Sequence, residues 1–204
     1  MTAATVVLAL SACGQPGTGV DGRPRPASTA TATAGEGDTP YLPDELLDAP
    51  GEPPRMDVVT ESARIAALRI AVDWESLSGP AAGPPVQITW PRARFRADER
   101  QAEFEFGTTR VPSRVVLYEY PRVGDGGVPD ETAGTETLCA FADRAAKCWR
   151  KGDGTAPARV VVPLASTSGP YWVIHAAWPV LTDGRPQDEV EVVSASWVVR
   201  IDRR

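Results

Sequence analysis

Lysine is almost missing from this chain. Of its 204 residues only Lys147 and Lys151 are lysines, so arginine carries nearly all the positive charge. Histidine occurs once, at His175. The apolar run at residues 2–12 (TAATVVLALSA) is much too short to cross a bilayer as a helix. No P-loop, no G-x-G-x-x-G after a strand and no H-E-x-x-H is present, which removes the phosphate-cradling, dinucleotide-binding and zinc-protease chemistries those motifs carry. Excess positive charge is also lacking. The net charge is -6, and residues 14–54 hold seven acids against two bases, which leaves twenty acids and nineteen bases elsewhere. A nearly neutral body has no electrostatic footprint for nucleic acid, and nucleic-acid binding is excluded on that ground.

What is there suffices for one packed domain with extras. At 42% hydrophobic residues the chain can bury a core, which excludes wholesale disorder. The stretch from Gly14 to Pro54 is different. It contains GQPGTG, RPRPASTATATAG and GEPP, is poor in aromatics, and cannot bury enough surface to offset its ordering entropy. It reads as a tether, with YLPDELLDAP as one apolar island able to dock on the domain.

The N-terminal run has the length of a signal-peptide core and ends in Leu10-Ser11-Ala12-Cys13-Gly14. This stretch resembles the lipobox of bacterial lipoproteins, a leucine and two small residues before the cysteine, over about the first 14 residues. The resemblance implies a signal peptide at 1–12, cleavage before Cys13 and a lipid on Cys13 that holds a tether at 13–55 and a domain at 56–204 on the membrane's extracytoplasmic face. One departure is the absence of a basic leader, since Met1 is followed by Thr-Ala-Ala-Thr. An ordinary secretory signal, or a buried strand with an incidental cysteine, stays open beside it.

With Cys13 lipidated, Cys139 and Cys148 remain, and outside the cytoplasm such a pair reads as a disulfide. A helix through TLCAFADRAAKCW would separate them by about 13.5 Å, whereas bridged Cα atoms lie roughly 4.4–6.8 Å apart. An antiparallel hairpin turning near Asp143-Arg144 is therefore expected. Metal binding by the pair fails for want of a His/Cys cluster.

Period-two alternation recurs from about Ala67: LRIAVDW (68–74), VQITW (86–90), QAEFEF (101–106), RVVLYEY, ARVVVPLA (158–165), YWVIHAAW (171–178) and VEVVSASWVVRID (190–202). TESARIAA before them admits a helical turn. Loop chemistry separates the runs and no long amphipathic helix intervenes, so the fold class is all-β, an antiparallel β-sandwich for which an immunoglobulin-like arrangement is one form. The Cys…Trp…Cys spacing of antibody domains is not met.

Candidate sites are few. His175 could serve as a base, but Ser166, Thr167 and Ser168 form no nucleophile elbow, and a half-exposed strand histidine is the simpler reading. The six tryptophans are numerous enough for a sugar platform, yet those on alternating strands read as core; burial of Trp74, Trp90, Trp172, Trp178 and Trp197 would remove the platform. Trp149 and Tyr171 are the candidate ligand-contact aromatics, with Trp149 also placed to cover the disulfide. Asp125, Asp130 and Glu131, and Asp183, Asp188, Glu189 and Glu191, form acidic loops without calcium-loop spacing. Glu103 and Glu105, about 6–7 Å apart along one strand face, read as solubility and edge protection. No catalytic residue, metal or cofactor is assigned. The expectation is a non-catalytic module contacting an envelope protein or glycan, with a small-ligand receptor and a hydrolase as alternatives.

Overall fold

The computed structural model describes residues 42–181 and 190–204. The expected lipobox with Cys13, the expected tether as far as residue 41, and Asp183, Asp188 and Glu189 lie outside them. In chain order the strands are β1 (Met56–Val59), β2 (Arg64–Ala66), β3 (Leu68–Asp73), β4 (Ala81–Ala82), β5 (Arg92–Phe95), β6 (Gln101–Phe106) and β7 (Arg114–Tyr120). There follow β8 (Thr135–Leu138), β9 (Ala140–Phe141), β10 (Trp149–Lys151), β11 (Arg159–Pro163), β12 (Tyr171–Val180) and β13 (Glu191–Arg203). One helical turn, α1 (Asp44–Leu47), precedes them.

Two mainly antiparallel sheets pack face to face, as the alternation predicts. The first runs β2-β1-β6-β11-β10-β9; the second runs β4-β3-β13-β12-β7-β8, with β5 pairing the far end of β13 in parallel. Inward residues of β6 (Ala102, Phe104, Phe106) meet inward residues of β12 and β13 (Trp172, Ile174, Trp178, Trp197, Val199) in one core. The rings are in edge and tilted contact across the layers: Phe104 to Trp172 at 5.7 Å, and Phe106 to Trp178 and Trp197 at 5.5 and 5.6 Å. Edge strands are short, which limits pairing with other chains.

Four expectations need correction. VQITW is not a strand: Pro84, Pro85 and Pro91 deny backbone donors on both sides, Val86 is 90% exposed, and the segment's backbone bond among the described residues runs from the Ile88 N–H to the Gly126 carbonyl. The strand lies just beyond it, in β5. TESARIAA is no helical turn but the end of a hairpin between β1 and β2, closed by Thr60 and Ala63. The disulfide Cys139–Cys148 is present, Cα atoms 4.5 Å apart, yet the segments flanking it run parallel, Trp149 beside Ala140. Ala142 takes a left-handed φ of 55°, and the chain loops round before rejoining the sheet. Finally, the apolar island docks from Leu42 on, as its composition allowed, so the tether expected to run to residue 55 does not include it: Leu42, Leu47 and Ala49 pack on the core, and the Trp74 indole N–H donates to the Pro50 carbonyl at 3.1 Å.

Candidate functional site

The outer face of the second sheet carries the single histidine. Register places Val116 on β7, His175 on β12, Ser196 on β13 and Ala71 on β3 in one row, with Leu138 of β8 at its end. The next rows hold Tyr118, Val173, Val198 and Leu68 on one side, and Arg114, Ala177, Ser194 and Asp73 on the other. An open groove of about 470 Å³ runs over His175, bordered by Ser113, Arg114, Tyr118, Val192 and Ser194. Val192 (51% exposed) stands uncovered at its border, and Leu138 (61%) and Leu68 (37%) stand uncovered toward the two edges of the same sheet face.

His175 Nδ1 lies 3.0 Å from the Ser196 hydroxyl, a pair that period-two alternation cannot announce because register between strands is invisible in one sequence. A histidine base must hold a positive charge as it takes the serine proton, and a carboxylate on its other nitrogen stabilises that charge. Here burial, and then the Arg114 guanidinium, push the imidazole below its ordinary range. Both effects disfavour the imidazolium. Among the described residues the arrangement suits hydrogen bonding by a neutral ring better than proton transfer. Ser166, Thr167 and Ser168 are engaged elsewhere, with Pro163, Leu164 and Glu119.

At one corner of the same face Tyr171 meets Trp90 edge-on at 5.2 Å, and Arg200 sits 5.4 Å over the tyrosine ring. Both aromatics are only partly exposed, and the Trp90 N–H is already given to the Gly127 carbonyl at 2.7 Å. Trp74, just past β3, and Trp172, Trp178 and Trp197 on β12 and β13 are buried, the first three at 0% and the last at 1% exposure. Trp149 is buried as well, opposite Val161 on the outer face of the first sheet and outside the core that holds Cys148. It therefore offers little area to a ligand and does not cover the disulfide.

Glu103 and Glu105 share the outer face of β6, flanked by β1 and β11, so they guard no edge. Arg159 bridges both carboxylates at 3.0 and 2.8 Å, Arg64 grips Glu105 with both terminal nitrogens, and Lys151 approaches Glu103 at 3.4 Å. The Arg64 hydrogen bond leads the effects that hold the Glu105 carboxyl below the usual carboxylate range. A glycosidase acid needs the opposite shift. Of the acidic loops, Asp130 caps its own turn by accepting from Thr132, and among the described residues no three His, Cys, Asp or Glu side chains converge as a metal set. No protein-family model, curated protein or solved structure matches this chain.

Proposed function

We propose that this protein is a lipid-anchored, extracytoplasmic binding module of a bacterial cell envelope. In this reading lipid on Cys13 holds it to the membrane, and the outer face of the second sheet contacts another envelope protein without catalysis. The observation that carries it is the uncovered apolar set on one sheet face, Val192 at the border of the groove over His175 with Leu138 and Leu68 toward the sheet's two edges. Exposed apolar side chains gathered on one face mark contact surfaces, and the neutral imidazole with its serine gives a polar centre for fixing orientation. The Cys139–Cys148 bridge supports an oxidising compartment.

The test has two arms. Replacing Cys13 by Ala should release the protein from the membrane fraction; retention there would sink the anchor. The double variant Leu138→Asp/Val192→Asp should fold with unchanged Tm, since both side chains are exposed, yet lose crosslinks to its envelope neighbour. Undiminished crosslinking would move the contact to another face. A second reading, a glycan or small-ligand receptor, is favoured by the partly exposed Trp90–Tyr171 corner. Quenching of tryptophan fluorescence by envelope oligosaccharides, lost in Tyr171→Ala, would support it over protein contact.

A further inference from the structure

Glu119 is the one carboxylate whose inward position the β-sandwich does not explain. It lies on the core side of β7, two residues from Leu117, and is only 4% exposed. The Ser168 hydroxyl donates to Oε2 at 3.1 Å and the Ser168 backbone N–H also bonds the carboxylate, whereas Oε1 has no hydrogen-bond partner among the described residues. A carboxylate oxygen held away from water without a partner is costly, so something has to offset it.

Glu119 also lines a pocket rich in hydroxyl side chains. This small pocket of about 80 Å³ opens at the seam between the sheets, floored by Leu117 and Val162 and walled by Glu119, Thr135, Thr137, Ser166 and Ser168. Thr135 sits directly across from Glu119 in register, and Thr137 across from Leu117, so β8 turns two hydroxyls toward the same seam. Lys147, on the loop closed by the disulfide, stands at the mouth, where its charge acts on Glu119 without a hydrogen bond between them.

We propose that this pocket binds one small monovalent cation, of alkali-ion or ammonium type, on Glu119 Oε1 and the surrounding hydroxyl oxygens. One carboxylate balances one positive charge. A calcium-class ion wants six or more oxygens with several charges among them, and Lys147 adds positive charge at the entrance. A bare ion or ammonium can approach the carboxylate closely, whereas the methyl groups of a quaternary amine such as choline keep its charge away, so choline serves as the weak-binding control. The site is separate from the groove over His175, and it stands or falls without the membrane anchor. Burial raises the carboxyl above its usual range, so an ion that pairs with it also restores its ionised form.

The experiment is thermal unfolding of the full chain at pH 8 in sodium, potassium, ammonium or choline chloride at equal ionic strength. A Tm higher by roughly 3–5 °C in at least one of the first three than in choline is expected at tenfold excess over Kd. A gain in sodium or potassium assigns an alkali ion; a gain in ammonium alone assigns an amine. Glu119→Gln should abolish the difference, and Thr137→Val, which keeps the shape without the hydroxyl, should weaken it. Lys147→Ala should enlarge it by removing the competing charge. Equal Tm in all four salts would mean that water or the Lys147 ammonium serves Oε1, and would overturn the proposal. So would an undiminished ion response in Glu119→Gln or, if that variant does not fold, in Thr137→Val.

Discussion

Four tryptophans fill the space between the sheets, and three of them satisfy their indole N–H. Trp74 donates to Pro50, Trp172 to Gly169 at 2.7 Å and Trp178 to Arg110 at 3.2 Å, while Trp197 Nε1 is buried without a partner among the described residues. Replacing each by Phe removes similar volume, but only at the first three does it also leave a partly buried carbonyl without its donor. Trp197→Phe should therefore cost about 1–2 kcal/mol less than Trp172→Phe in urea unfolding. Equal costs would mean that Trp197 has a partner in solution. His175 gives a second expectation. Its folded pKa is depressed, so the unfolded chain binds the proton first as pH falls. Stability should be insensitive to this group above its ordinary range, near 6.5, and should fall as pH drops through and below it. His175→Gln should flatten that part of the pH profile; an unchanged slope would place the titration elsewhere.

At the scale of elements, the Cys139–Cys148 bridge fixes a loop of nine-residue separation whose flanks pair in parallel with no crossover helix. Arg150 reinforces the corner by donating to the Cys139 and Ser113 carbonyls. Replacing both cysteines by Ala should lower stability by about 2–3 kcal/mol, the loop-closure value for so short a ring. A much smaller loss would mean that Arg150 alone holds β9 in place. Alternation made β3, β6, β7, β11, β12 and β13 legible, because each has one face on the core and one on solvent. It missed β1 and β2, which are short, and mistook VQITW for a strand because spacing carries no information about backbone donors. In β5 the pattern RARF does alternate, with Ala93 and Phe95 buried, but its partner is the distant end of β13. The site was less legible for the same reason. His175 could be placed on a face, whereas Ser196, Arg114 and the pocket at Glu119 exist only through register between strands.

The molecule as a whole is strapped by the segment preceding β1. Leu46 accepts from the Val111 N–H at 2.7 Å, Ala49 donates to Pro179 at 2.9 Å, Asp48 accepts from the Leu181 N–H, and Pro53 accepts from Arg69. These contacts reach the chain before β7, the end of β12 and β3, so one short segment ties together parts far apart in sequence. Leu42, Leu47 and Ala49 add apolar cover over the end of the core where Trp74 and Trp178 pack at 5.7 Å. Removing the strap forfeits that cover and strands several carbonyls and N–H groups, partly offset by the entropy its residues regain. A chain beginning at Met56 should thus be less stable than one beginning at Leu42 by on the order of 2–4 kcal/mol. Hydrogen exchange should localise the loss to the amides of Val111 and Leu181. If the shorter chain were as stable and as protected, the strap would be a surface ornament and the domain boundary would fall at Met56. If it loses the protection, the folded unit starts at least fourteen residues earlier than composition suggests, and any work on binding by this module has to keep them.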